Sequence, residues 1–341
     1  MWLAPSLALV VPPPAFAMLQ SVSTLVTGQS IQGNVDPGSL LGQTQVSLFS
    51  QTLQYKAEGI GHGLTVLSAI TTTQPDYSNY LVTQRDGTTV PLSQALGGNP
   101  LSELSASAGI SWDAGPHSAQ VSWLGNLNSS PFAVQAVSAS YAEGFYEKTT
   151  LIGAHVTAYT AAQPDSFYID TDFVTRERPQ LIHGNEVAAT CDQVLSERFK
   201  AGLELSTADR EEDRPRNIGA VLRSAYAATD RLFARLALTR IDELRSQPLL
   251  DERGYFTLSA AEFSLTYEPW VDVLISPSYA WVIEDEDDPR TGSQVRVGSD
   301  QYGLDLRYRR GGWDFDLKSA YRATNTNLTD VVLGGGVTWR I

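Results

Sequence analysis

The sequence predicts an all-β chain, a transmembrane antiparallel up-and-down β-barrel of about sixteen strands. Three observations carry that expectation. Apolar residues recur at every second position over runs that often reach ten to thirteen residues, the period of strands whose two faces meet different surroundings. The connections between those runs alternate between long and short. The tryptophans beyond Trp2 lie near the ends of the runs.

Composition narrows the alternatives. The 341 residues carry a net charge of -14 and a mean hydropathy of -0.15, an acidic balance that excludes a chain-wide nucleic-acid surface. No run of eighteen apolar residues occurs, so a helical membrane span is excluded. One cysteine, Cys191, permits neither an internal disulfide nor a four-cysteine zinc site.

In chain order, residues 1–17 read as a signal peptide. Leu7 to Val11 is apolar and Ala15-Phe16-Ala17 is a small-residue cleavage pattern, although no Lys or Arg precedes Lys56. Residues 18–42 read as an N-terminal periplasmic segment and residues 43–341 as the barrel. Gln45 to Leu53 and Gly63 to Ile70 are the first expected strands. Thr71 to Leu101 is polar and contains Asp86-Gly87, which suits a hairpin, a long loop or a piece folded into the lumen. In a strictly sixteen-stranded count this segment falls on the short-loop side, against the loop rule.

Glu103 to Trp112, Ala119 to Leu124, Phe132 to Tyr141 and Thr150 to Ala158 follow as strands, then Phe167 to Phe173 and Leu181 to Thr190. The alternation is cleanest afterwards. Leu195 to Leu205, Ile218 to Tyr226, Leu232 to Leu238, Phe263 to Tyr267, Val271 to Ile283, Tyr302 to Tyr308, Trp313 to Leu317 and Val331 to Ile341 complete eight strands. Eight more before them make sixteen; twelve and fourteen stay open. A strand of about nine to eleven residues crosses the hydrocarbon at the usual tilt. Long loops at Thr207–Asn217, Asp242–Gly254 and Asp285–Asp300 alternate with short turns at Asp230, Glu268-Pro269-Trp270 and Arg310-Gly311-Gly312, the asymmetry of external loops and periplasmic turns.

With these runs in view, the sequence resembles a Gram-negative outer-membrane β-barrel, porin-like, a class that includes barrel families of unknown function. Leu195 to Ile341 carries the likeness best and Ser102 to Ala161 less well. Many such barrels end in Phe or Trp, whereas this chain ends in Ile341. The resemblance implies the bacterial outer membrane as location, with outer-membrane lipid as surroundings.

If the apolar parity faces lipid, charged residues line the interior. The lumen candidates are Arg198, Lys200, Arg223, Arg235, Asp305, Arg307, Arg309, Asp314, Asp316 and Lys318; Arg231, Asp272, Glu204, Glu262, Arg322 and Arg340 share the reading. Each Arg or Lys on the lipid side near the midplane costs about 2–4 kcal/mol, so parity is strongly constrained. Trp112, Trp123, Trp270, Trp281, Trp313 and Trp339 are the candidate aromatic girdle.

The expected function is a channel through which small polar or anionic solutes diffuse, with no catalysis, cofactor, metal or nucleic-acid partner. A plugged barrel that anchors an envelope protein partner is the alternative. An outer-membrane hydrolase using His155 or His183 is the third reading. His62, His117, His155 and His183 show no metal-ligand spacing, no G-x-S-x-G elbow occurs, and Cys191 reads as inert. The acidic run Glu284 to Asp288 lacks the spacing of a calcium loop and reads as a solvated loop. Gly334-Gly335-Gly336 reads as a place for strand curvature or close approach.

Overall fold

The computed structural model describes residues 19–33, 44–60, 63–79, 81–83, 89–91, 102–127, 134–147, 149–163, 180–210, 217–247, 252–287, 294–325 and 328–341. All regular structure among them is strand. The first are β1 (Leu19–Gly33), β2 (Thr44–Ile60), β3 (Leu64–Asn79), β4 (Leu81–Thr83), β5 (Thr89–Pro91) and β6 (Glu103–Ala114). Next come β7 (His117–Asn126), β8 (Val134–Phe145), β9 (Thr150–Gln163), β10 (Gln180–Ser196), β11 (Phe199–Arg210) and β12 (Asn217–Thr229). The last are β13 (Leu232–Gln247), β14 (Glu252–Trp270), β15 (Val273–Asp287), β16 (Gln294–Arg310), β17 (Trp313–Thr324) and β18 (Thr329–Arg340).

All but β4 and β5 join a closed, antiparallel sixteen-stranded barrel. Each strand pairs with its neighbours in sequence, β3 pairs with β6, and β1 closes the ring against β18 from Ser21↔Arg340 to Gln32↔Thr329. Closure satisfies the ladder groups that an open sheet would leave bare in a membrane.

The first strand corrects the sequence reading. Leu19 to Gly33 is a wall strand and not a periplasmic segment ahead of the barrel. Its two faces explain why alternation does not reveal it: Val22, Thr24, Val26, Gly28 and Ser30 share one face, while Leu19, Leu25 and Ile31 sit on the other. Counting β1 also removes the loop conflict. The segment after β3 now falls at the long-loop end, where β4 and β5 form a separate two-stranded sheet. The expected strand Phe167 to Phe173 and residues 1–17 lie outside the described residues.

Two-residue turns lie at one end, including Glu197-Arg198, Asp230-Arg231, Val271-Asp272 and Gly311-Gly312. The strands run well past the expected loop boundaries at the other end. β14 has 19 residues, and β2, β10 and β16 have 17 each, against the roughly 9–11 that cross hydrocarbon. Backbone pairing continues where polar side chains occupy both faces, so the alternation fades before the strand ends. At the β2–β3 turn, Gly63 has φ 83°, and a Cβ there would come within 1.9 Å of the Asp113 carbonyl oxygen. That turn requires glycine.

Among the described residues the buried apolar side chains are Ala57, Ala188 and Val282, and no large side chain is fully buried. Meanwhile Leu53, Ile110, Leu222 and Leu333 are each more than half exposed. A water-soluble fold of this size gathers such residues into a core. Here the wall is one sheet thick.

Candidate functional site

Register divides the wall into two chemically distinct faces. On β16 and β17, opposite charges stand directly across from one another at Asp305↔Lys318, Arg307↔Asp316 and Arg309↔Asp314, the arrangement that stabilises cross-strand pairs. Arg307 donates from Nε to Asp316 Oδ1 at 2.7 Å, and Arg309 donates to Asp314 Oδ1 at 3.2 Å. Arg340, from β18, pairs with the other oxygen of Asp314. Asp314 is only 8% exposed, a carboxylate held between two guanidinium groups.

The same face continues across β10 to β13. Lys200 Nζ lies 3.2 Å from Asp192 Oδ2, and Arg223 pairs with Glu204. Gly202 makes the first pair feasible, because a Cβ there would meet Asp192 Oδ1 at 2.0 Å. Lys200, Arg223, Arg235 and Glu262 surround a recess of about 320 Å³ floored by Gly202, Ala225 and Ala237. Arg235 has no carboxylate in ion-pair range among the described residues. Of the sequence candidates, Lys200, Arg223, Arg235, Asp305, Arg307, Arg309, Asp314, Asp316 and Lys318 therefore share one face. Arg198 does not join them; it sits in the β10–β11 turn, as Arg231 and Asp272 sit in later turns. A two-residue turn has no strand parity to inherit.

Between β3 and β9 the polar face changes character. Ser105, Ser107 and Ser111 on β6, Ser118, Gln120 and Ser122 on β7, and Ser138 and Ser140 on β8 lie on it. Hydroxyls pair across strands, as in Ser138–Thr157 at 2.9 Å and Thr52–Thr71 at 2.9 Å. Ser111, Gln120, Ser140, His155 and Thr190 line a second recess of about 250 Å³. The sequence reading missed this arc, although the serines alternating with Leu104, Ala106 and Ala108 were its signal. Asp192, the partner of Lys200, was missed as well.

The opposite face is apolar and aromatic. Trp112, Trp123, Trp270, Trp281, Trp313 and Trp339 all carry that parity. Trp112, Trp270, Trp313 and Trp339 lie toward the two-residue turns, and Trp313 stacks on Trp339 with centroids 5.9 Å apart. Trp123 and Trp281 lie toward the other end, where Tyr279 packs on Tyr302 at 5.3 Å. Charges on this face gather mainly beyond that upper row. Arg296 grips Asp285 with two hydrogen bonds of 2.7 and 3.1 Å, and Arg240 reaches Ser259 at 2.7 Å.

The acidic run from Glu284 to Asp287 is therefore the end of β15 and not a loop, with Asp288 outside the described residues: Glu284 pairs with Arg322 on the polar face, whereas Asp285 pairs with Arg296 on the apolar one. No group of three or more His, Cys, Asp or Glu is placed to hold a metal among the described residues. Of the candidate bases, His155 lies 4.0 Å from Glu186 on the polar face. His183 shares a 3.0 Å hydrogen bond with Thr160 on the other face. Cys191 is exposed on the apolar face of β10.

No protein-family model and no curated protein sequence matches the chain. Solved structures resemble it in shape. A bacterial polysaccharide outer membrane secretin superposes with a TM-score of 0.54 at 10% identity, over 94% of this chain and 98% of that one. A BenF-like porin from Pseudomonas fluorescens Pf-5 gives 0.49 at 9% identity over 95% and 99%, and OccAB2 from Acinetobacter baumannii gives 0.48 at 10% identity over 94% and 98%. The likeness is one of fold.

Proposed function

We propose that the chain is a channel of the bacterial outer membrane, through which small polar solutes diffuse along a lumen lined by the polar face. The carrying observation is a closed sixteen-stranded wall with charged and hydroxyl side chains on one face and apolar side chains on the other. Barrels of sixteen to eighteen strands are wide enough to leave an aqueous channel. On β15 the apolar parity runs from Val273 to Ile283 before Asp285 interrupts it. Ten residues at ~3.3 Å and a tilt of ~45° rise about 23 Å, close to the apolar band of such barrels. The two aromatic rows then mark the interfaces, and the two-residue turns face the periplasm.

The lumen is divided into a charged arc, β10 to β18, and a hydroxyl arc, β3 to β9. Passage of anions rests on the recess around Arg235, which has no carboxylate in ion-pair range among the described residues although Glu262 shares the recess. Among the described residues carboxylates outnumber cations on the polar face, so selectivity is a local property of that recess. Purified protein in planar bilayers is expected to give stepwise conductance. Reversing Arg235 to Glu changes two charges; at ~8 Å in water that is about 1 kcal/mol before screening, and a two- to fivefold fall in the anion-to-cation permeability ratio is expected. A folded barrel that stays silent and retains a stoichiometric envelope protein would replace the channel with the anchor reading.

A further inference from the structure

A sector of the apolar face departs from its own rule. Register sets Trp123, Val137, Ala158, Asn185 and Asp209 in one row across β7 to β11, and Gly125, Gln135, Thr160 and His183 in the next row toward the long loops. Positions that elsewhere hold Leu, Val or aromatic rings here hold an amide, an imidazole, a carboxylate and a hydroxyl. They line a recess of about 410 Å³, within the range of small-molecule sites. The hollow has a clear origin. Ala158 leaves the floor low, and the Trp123 ring folds over Gly125, where a Cβ would meet its Cζ2 at 2.4 Å. Trp123 is one wall; Asn185 and Asp209, both exposed, are the other.

We infer that this recess holds the sugar headgroup of a glycolipid in the outer leaflet. The inference rests on the proposed reading that the apolar face meets lipid. Sugar hydroxyls both donate and accept, which suits Asn185, Gln135 and Asp209 together. The apolar face of a pyranose suits an indole ring. The Nδ1 atom of His183 is engaged by Thr160 at 3.0 Å, which orients the imidazole. No described Lys or Arg side chain lines the recess, so neutral hydroxyls fit it better than a phosphate. Depth agrees: Asn185 lies about eleven residues from the β10–β11 turn, a rise of about 25 Å at the usual tilt, which is headgroup level. Below it, Val187, Val156 and Leu203 offer the acyl chains an apolar wall. A soluble sugar lacks that second contact.

The test uses the full chain in detergent and reads lipid retention by native mass spectrometry. A neutral diglycosyl diacylglycerol is compared with phosphatidylglycerol and with the free disaccharide. The glycolipid should be retained over both, and Asn185→Ala should weaken retention about tenfold, as expected for losing a donor and an acceptor together. Trp123→Leu should weaken it further, with folding of both variants checked by heat-modifiable migration. Equal retention of phosphatidylglycerol, equal binding of the free disaccharide, or an unchanged Asn185→Ala would overturn the inference. In parallel, brominated acyl chains should quench the tryptophan fluorescence of the reconstituted barrel. Quenching without glycolipid preference defeats the inference alone; absence of quenching defeats the lipid-facing reading beneath it.

Discussion

Asp314 and Asp316 look alike in sequence, two carboxylates on one face of β17. The structure separates them. Asp314, its side chain 11% exposed, lies between Arg309 and Arg340, whereas Asp316, 21% exposed, pairs with Arg307 alone. Removing a shielded carboxylate leaves two guanidinium groups facing one another, so Asp314→Ala should cost about 2 kcal/mol or more. Asp316→Ala breaks a single pair and frees one guanidinium that is already half exposed to solvent, so it should cost less, about 1 kcal/mol. Urea midpoints in micelles at constant slope check the difference. The cations were legible in the sequence because Leu, Phe and Tyr alternate with them on β11, β13, β16 and β17. Their partners were less so. Asp192 becomes a partner only when β10 and β11 fold back at Glu197-Arg198, and the same turn takes Arg198 off the wall. The serines of β6 to β8 carry no charge for parity arguments to detect.

A strand is legible when its faces differ, and β1 shows the opposite case. Its only outward aliphatic side chains are Val22 and Val26, while Leu19, Leu25 and Ile31 share the polar face with Ser21, Ser23 and Thr27. Pairing with β2 and β18 on both edges defines it, and pairing leaves no mark in a single sequence. Paired substitutions test the assignment at mid-strand. Val26→Arg places a cation in hydrocarbon and should destabilise the barrel by about 2–4 kcal/mol, whereas Thr27→Arg reaches the lumen and should cost less than about 1 kcal/mol. Reversible unfolding from lipid vesicles measures both. If residues 19–33 were a periplasmic segment, the two would be equally mild. The sequence count of sixteen matches the barrel although its set of strands does not, since β1 was left out; Phe167 to Phe173 lies outside the described residues.

At the scale of the molecule, the barrel class was legible from alternation and loop phase, because a wall one sheet thick sets apolar and polar side chains on opposite faces of most of its strands. Folded barrels of this kind should migrate differently before and after heating, and a chain ending at Leu328, without β18, should lose the heat-modifiable band. The reason lies in the seam. Ile341 donates its amide to the Gln20 carbonyl at 2.8 Å, so β1 and β18, far apart in sequence, are immediate neighbours in the ring. Bringing residues that far apart together costs entropy that no local hairpin recovers, and until it happens both terminal strands expose sticky edges. An interrupted translation product therefore has no partial version of this architecture to fall back on. Closure between β1 and β18 is itself the checkpoint, and whatever inserts the barrel must shelter two unpaired borders until those strands meet.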